Sequence, residues 1–163
     1  MRRIALFFAL CATLATPCVA IEKGEAAPPL ELQTRDAQTQ KISFRGELVY
    51  LDFWASWCGP CKQSFPWMNA MHSRYAKQGL RILAINVDQK AADAARFLAA
   101  SPAQFDIAFD AAGVSPRQFG VKTMPTSYLI DKSGAVLWKH AGFSPKDTAA
   151  LEQAIQSALE GKP

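Results

Sequence analysis

Two cysteines separated by two residues, Cys58-Gly59-Pro60-Cys61, are the part of this chain best suited to chemistry. Thiols at this spacing close a small disulfide ring without unfolding anything, so the pair can carry two electrons by cycling between dithiol and disulfide. Residues 48–54, just before it, form a nearly continuous apolar and aromatic run that reads as a strand buried on both faces. Residues 60–78, just after it, place Phe65, Met68, Met71 and Tyr75 at spacings of three and four, which reads as a helix. Cys58 therefore falls at a helix N-terminus, where free backbone N–H groups and the helix dipole favour a thiolate. Disulfide exchange needs that thiolate, so Cys58 is the candidate nucleophile. Cys61, one helical turn further in, is the candidate resolving thiol that attacks the mixed disulfide. Gly59 and Pro60 belong to the same site: a proline in the first helical turn costs no hydrogen bond and fixes φ.

Asp52 lies between Leu51 and Phe53 inside the apolar run. An acid there is costly unless it works or is paired. It is the candidate proton acceptor for Cys61, with burial raising its pKa; the alternative is an acid pointing to solvent from an edge strand. Trp57 offers either a flat apolar contact for a partner chain or ordinary core packing. A structural disulfide and a zinc site are the rival readings of the cysteine pair. Zinc needs about four ligands, and His72 and His140, which read as surface or capping residues, are the two histidines that could join.

The elements that position these residues occupy most of a chain of 163 residues, enough for one domain with a real core. Residues 1–20 read as a signal peptide: Arg2 and Arg3 make a basic start, 4–15 an apolar stretch of 12 residues, Pro17 a break and Cys18-Val19-Ala20 a small-residue cut site. An uncleaved anchor is the alternative, but spanning a bilayer takes about 20 apolar residues. A lipoprotein fits less well, because neither Cys11 nor Cys18 follows a run of small residues. Cleavage after Ala20 removes Cys11 and Cys18 and leaves Cys58 and Cys61 of the four cysteines. A lone pair with so short a loop gains little as a staple, which favours a working disulfide. Losing the two arginines also leaves 16 basic against 14 acidic residues, a balance with no sign of a nucleic-acid partner.

Residues 21–29 read as a flexible lead-in to a domain at 30–163. Residues 30–34 and 41–44 alternate as a hairpin. Gly79 ends the helix, which Pro66 should kink. Strands follow at 81–87, 107–109, 126–130 and 135–140, the last two joined by a turn at 131–134. Asp88 is placed to cap a helix ending near Ala100, Ser115-Pro116 to start a short turn, and Ser144-Pro145-Lys146-Asp147 to start the final helix. This order predicts an α/β domain with a mixed central sheet and helices on both faces.

Asp52 to Lys62 together with Thr123-Met124-Pro125-Thr126 resemble the thioredoxin superfamily, and more narrowly the exported TlpA/ResA/DsbE-like thiol:disulfide oxidoreductases. The likeness extends over roughly residues 28–159. It implies a thioredoxin fold with an N-terminal β-hairpin and a central insertion. It also implies a cis proline at Pro125 opposite the cysteines, leaving the Met124 backbone free to pair with an extended substrate segment. No cofactor and no metal are expected. The implied activity is that of a monomeric, periplasmic protein-disulfide reductase. Its electrons would come from a membrane thiol reductase, and its clients would be oxidised cysteines of other exported proteins, apocytochrome c among them by family analogy. The Gly-Pro pair favours a reductant, since thioredoxin shares it and sits at about −270 mV against about −120 mV for the oxidant DsbA. A disulfide oxidase or isomerase and a non-enzymatic copper- or thiol-binding module are the alternatives. A peroxidase fits less well, because no cysteine follows a Pro-x-x-x-Thr pattern. Two positions depart from the relatives: Ser64 stands where the exported branch has a glutamate, and Ala84 where thioredoxins often carry a lysine.

Overall fold

In the computed structural model, which describes residues 21–162, the chain runs β1 (Leu30–Thr34), β2 (Thr39–Ile42), β3 (Leu48–Trp54), α1 (Gly59–Tyr75), β4 (Leu80–Asn86), α2 (Ala91–Ala100), β5 (Asp106–Phe109), α3 (Val114–Gln118), β6 (Thr126–Ile130), β7 (Val136–Ala141) and α4 (Thr148–Leu159). The expected signal peptide, 1–20, lies outside the described residues.

The strands form one sheet in the order β2-β1-β5-β4-β3-β6-β7. β3, β4 and β5 run parallel, as strand–helix–strand units require, while β6 pairs antiparallel with β3 and β7 with β6. The inserted α2–β5 segment joins the N-terminal hairpin to the sheet, because β1 pairs antiparallel with β5 through Gln33↔Phe109 and Thr34↔Ala108.

β3 is buried along its whole length, and its side chains alternate between two cores. Leu48, Tyr50 and Trp54 face a cluster that takes in Cys58, Cys61, Phe65 and Met68 with Phe97 of α2 and Ile155 of α4. Val49, Leu51 and Phe53 face the opposite cluster, closed by Phe119, Tyr128 and Ile21. Trp54 meets Phe65 at 4.9 Å and Phe97 at 4.7 Å between ring centroids. Burying each such ring stabilises the fold by about 1.5–3 kcal/mol. Those two contacts fix α1 and α2 on the strand that leads into the cysteines.

α1 continues as one helix across Pro66. The proline removes a hydrogen bond to the carbonyl of Lys62; both residues are exposed, so water can replace it. A short 3-10 turn, Ala76–Gln78, follows, and Gly79 closes it at φ +101°, a conformation that suits glycine.

Three local expectations are corrected. Residues 21–29 are not a loose lead-in: Gly24 N donates to Val136 O at 2.8 Å, Val136 N to Glu25 O at 2.9 Å and Ala27 N to Gly134 O at 2.8 Å, which ties the segment to β7. Asp88 does not cap α2, whose N-cap is Lys90 without a side-chain bond; its carboxylate is taken by partners from β4 and the cysteine turn. Ser144 does not open α4, because its hydroxyl accepts from Lys146 N at 3.2 Å in a turn that delays the helix to Thr148.

Candidate active site

Cys58 and Cys61 form a disulfide, with S–S 2.02 Å and Cα–Cα 5.3 Å. The turn that makes this possible is short: Cys58 N donates to Ala55 O at 3.1 Å, swinging the chain out of β3 and into α1. Cys58 is the N-cap of α1, with extended backbone (φ −82°, ψ 107°), and its Sγ accepts from Cys61 N at 3.2 Å. The sulfur thus occupies the place that a serine or aspartate oxygen takes in an ordinary N-cap. The first turn of α1 holds no acid, so nothing there opposes a negative charge on Cys58 when the disulfide opens. Both cysteines are buried, while Gly59 and Pro60 face solvent. A Cβ on Gly59 would meet nothing within 4 Å, so no close contact dictates glycine there. Trp57 is 71% exposed, which removes the core-packing alternative for it.

Asp52 sits mid-strand on the central β3, directly between Ala84 of β4 and Ser127 of β6. It is 1% exposed, so it does not point to solvent from an edge. Its neighbours along the strand on that face, Tyr50 and Trp54, belong to the core that contains both cysteines. Oδ1 accepts from Ser127 Oγ at 2.9 Å, and Oδ2 has no partner. Burial pushes the carboxyl up to about 7, against the opposing pull of the Ser127 hydroxyl. Tyr50 donates to Ser127 Oγ at 2.9 Å, and burial, with the nearby Asp52 charge, pushes its phenol well above the ordinary range. The position that thioredoxins often fill with lysine, Ala84, lies beside Asp52 and brings no cation. Ser64, the other departure, is buried and donates to Cys61 O at 3.1 Å.

The Met124–Pro125 peptide bond is cis. Pro125 is buried, and the half-buried Met124 packs on the cluster that includes both cysteines. Thr126 Oγ1 donates to Thr123 O at 2.7 Å and Gly142 N to Pro125 O at 2.7 Å, which pins this loop at both ends.

Sequence reasoning missed Ser127, Tyr50 and the true partners of Asp88. Asp88 accepts from Ser56 N at 2.9 Å, Ser56 Oγ at 3.0 Å and Asn86 Nδ2 at 2.8 Å. It thereby holds the residue two positions before Cys58. The one signal in the sequence was the presence of hydroxyl residues in strands expected to be apolar.

The profile of the AhpC/TSA family matches residues 23–139. ResA, the thiol-disulfide oxidoreductase of Geobacillus thermodenitrificans, is 34% identical over 133 residues, covering 81% of this chain and 76% of that protein. ResA of Bacillus thuringiensis subsp. konkukian is 33% identical over 130 residues, covering 78% and 74%. A crystal structure from Chlorobium tepidum, assigned as a thiol:disulfide interchange protein DsbE, superposes with a TM-score of 0.83 at 52% identity, covering 86% of this chain and 99% of that one. The chain belongs to the TlpA/ResA/DsbE-like thiol:disulfide oxidoreductases. As an enzyme of this type it acts on thiols and disulfides, and the Cys58–Cys61 pair is the redox-active group that the fold presents.

One of the two histidines of this oxidoreductase has a local occupation. His140 stacks on Trp138 at 5.2 Å, and its Nε2 lies 3.4 Å from Asp147 Oδ2, linking β7 to the start of α4. His72 lies on α1 with its Nδ1 buried. Among the described residues, no three or more His, Cys, Asp or Glu side chains gather as metal ligands would.

Proposed function

We propose that this oxidoreductase is an exported protein-disulfide reductase in which Cys58 attacks, Cys61 resolves and Asp52 takes the proton. The observation that carries the reading is a disulfide capping a helix, with a buried, half-satisfied carboxylate on the sheet face behind it. In the reduced enzyme the Cys58 thiolate attacks one sulfur of a client disulfide. A Cys58–client disulfide forms and one client thiolate leaves. Asp52 removes the proton from Cys61, whose thiolate attacks Cys58 Sγ and expels the second client thiolate. The client gains two electrons and the enzyme is left as the disulfide seen here, which a membrane dithiol donor must reduce. A carboxyl that titrates near 7 is divided between its two forms at neutral pH, as a group that accepts and then releases a proton needs to be.

Trp57, Gly59 and Pro60 are exposed next to the cysteines in the chain, and Met124, joined by a cis bond to Pro125, packs on the cluster that holds both cysteines. We assign these five to client binding, with the Met124 backbone pairing an extended client segment. Export and a periplasmic location rest on the pattern of residues 1–20, and clients are taken to be exported proteins with oxidised cysteines.

The direction of electron flow is tested by the reduction potential of the protein lacking residues 1–20, equilibrated with glutathione. A value near the thioredoxin end, about −270 mV, is expected; one near about −120 mV would make it an oxidant. The roles of the two sulfurs are tested by Cys61→Ser, which should accumulate mixed disulfides with clients, and by Cys58→Ser, which should be inert.

A further inference from the structure

We propose that Tyr50 and Ser127 are positioning residues that aim Asp52, directing the Cys61 proton to Oδ2 alone. The inference rests on the assignment of Asp52 as proton acceptor and adds how that acceptor is oriented. Three buried side chains form one line of hydrogen bonds: Tyr50 Oη to Ser127 Oγ at 2.9 Å, and Ser127 Oγ to Asp52 Oδ1 at 2.9 Å. The register explains how they meet. Asp52 and Ser127 are direct partners across β3 and β6, and Tyr50, opposite Leu129, reaches Ser127 along the diagonal.

Counting hydrogens fixes the direction of the line. A phenol and a hydroxyl carry one hydrogen each, and an ionised carboxylate carries none. If Ser127 donated to Tyr50, both oxygens of the buried carboxylate would lack a donor, at a cost of several kcal/mol. With Tyr50 donating to Ser127, the serine hydrogen is committed to Oδ1. That oxygen is thereby occupied, and an arriving proton must go to Oδ2, which has no partner.

The surroundings leave Oδ2 open. β4 presents Ala84 beside Asp52, and on α1 the Ser64 hydroxyl is already bonded to the Cys61 carbonyl. Among the described residues, the titratable groups on this side of the sheet include Tyr50 of β3, the two cysteines and Tyr75 of α1, the last bonded to Glu152 of α4, and His140 of β7. His140 is paired across the sheet with Ser127 and held by Asp147. During resolution the Cys61 S–H bond breaks and an O–H bond forms at Oδ2. The freed sulfur electron pair makes the new S–S bond to Cys58, and the client thiolate departs with the electrons of the old one. The proton on Oδ2 then passes to the departing thiolate or to water.

The test separates the two thiol steps. Reduced protein is mixed with the aromatic disulfide 5,5′-dithiobis(2-nitrobenzoate). Attack by Cys58 releases the first thionitrobenzoate, and resolution by Cys61 releases the second. Ser127→Ala should slow the second release about tenfold near neutral pH, a modest part of what general base catalysis supplies. The first release should be unchanged, and Ser127→Thr should restore the second. The midpoint of the second step's pH profile should move upward in Ser127→Ala, because the carboxylate loses the hydrogen bond that favours its charged form. Tyr50→Phe, which keeps the ring in place, should give a smaller slowing of the same step, so the idea stays testable if Ser127→Ala folds poorly. Equal slowing of both steps with no shift of the profile would mean a merely structural role and overturn the proposal. If Asp52→Asn slows the second step and neither Ser127→Ala nor Tyr50→Phe does, the aiming is wrong and the base stands. If Asp52→Asn leaves the second step unchanged, the base assignment fails and the aiming with it.

Discussion

Asp52 and Asp88 are both buried aspartates close to the cysteine turn, and the fold treats them in opposite ways. Asp88 receives three donors spread over both oxygens, from Ser56 N, Ser56 Oγ and Asn86 Nδ2. Asp52 receives one, from Ser127, and its other oxygen has none. Asp88, with both oxygens supplied, serves as a clamp: it grips the backbone of Ser56 and so fixes where Trp57 and Cys58 emerge. A poorly supplied carboxylate is held close to taking a proton, which is what exchange at a buried thiol requires. The same residue type is an anchor in one place and, on the function proposed above, a proton site in the other, and the number of donors separates them.

The largest effect expected from this contrast is on stability against pH. In the unfolded chain Asp52 ionises near the usual carboxylate value, about 3.9, and in the folded protein near 7. Between those values the folded state holds a proton that the unfolded state has lost, so stability falls as pH rises. The contribution is fully present below about 4 and is lost by the time pH passes 7, a total of roughly 4 kcal/mol at 1.36 kcal/mol per pKa unit. Asp131 and Glu152, whose carboxyls are held low by their hydrogen-bond partners, contribute in the opposite sense at more acid pH. The clean readout is therefore the difference between the parent and Asp52→Asn. Urea midpoints from pH 4 to 8 should show the parent losing ground steadily to the variant. A constant difference would mean that Asp52 is not the proton site of the pair.

The next effect is a reversal of sign for one chemical change made twice. Asp52→Asn should leave the protein at least as stable at neutral pH, because it removes a charge that burial disfavours. Asp88→Asn replaces one of two accepting oxygens by a donor and turns it toward groups that already donate. It should destabilise by about 2 kcal/mol, in line with leaving buried donors unpaired. Equilibrium unfolding of the two variants at one pH checks this. An Asp88→Asn protein as stable as the parent would remove the clamp from the comparison.

The same contrast marks the line between what the amino-acid sequence reveals and what it hides. Cys58, Cys61 and Asp52 are legible in it because their signals are local: a spacing, and an acid inside an apolar run. The order of elements along the chain and both hairpins are legible for the same reason, since periodicity and turn residues act over a few positions; the strand order in the sheet, with β1 beside β5, is not. Ser127 is not, because its role comes from the β3–β6 register, which joins residues 75 apart in sequence. Asp88 reads as a helix cap, a sound local rule that lost to Ser56, 32 residues away. Ser144 fails for a nearby reason: a hydroxyl that can close its own turn does so before it caps a helix. The departures at Ser64 and Ala84 are visible through the resemblance, which already sets Ala84 on the strand beside the acid, and the register Asp52↔Ala84 agrees.

The smallest expected change in stability tests what the Asp88 clamp is for. Trp57 follows the clamped Ser56, precedes Cys58 and stands 71% exposed. Truncating a side chain that leans so little on the fold should move stability by no more than about 0.5 kcal/mol. If the ring is instead a contact for the client chain, its loss should appear in client binding. A loss of about 1 kcal/mol corresponds to a KM roughly fivefold higher for a protein substrate such as insulin. The rate with a small disulfide that cannot reach the ring should be unchanged, because the sulfurs and Asp52 are untouched. Asp88→Asn should then raise the insulin KM as well, since releasing Ser56 lets Trp57 wander, whereas Asp52→Asn should act on the rate and not on KM. An insulin KM unaffected by Trp57→Ala would leave the exposed ring without a client role, and the clamp would serve Cys58 alone.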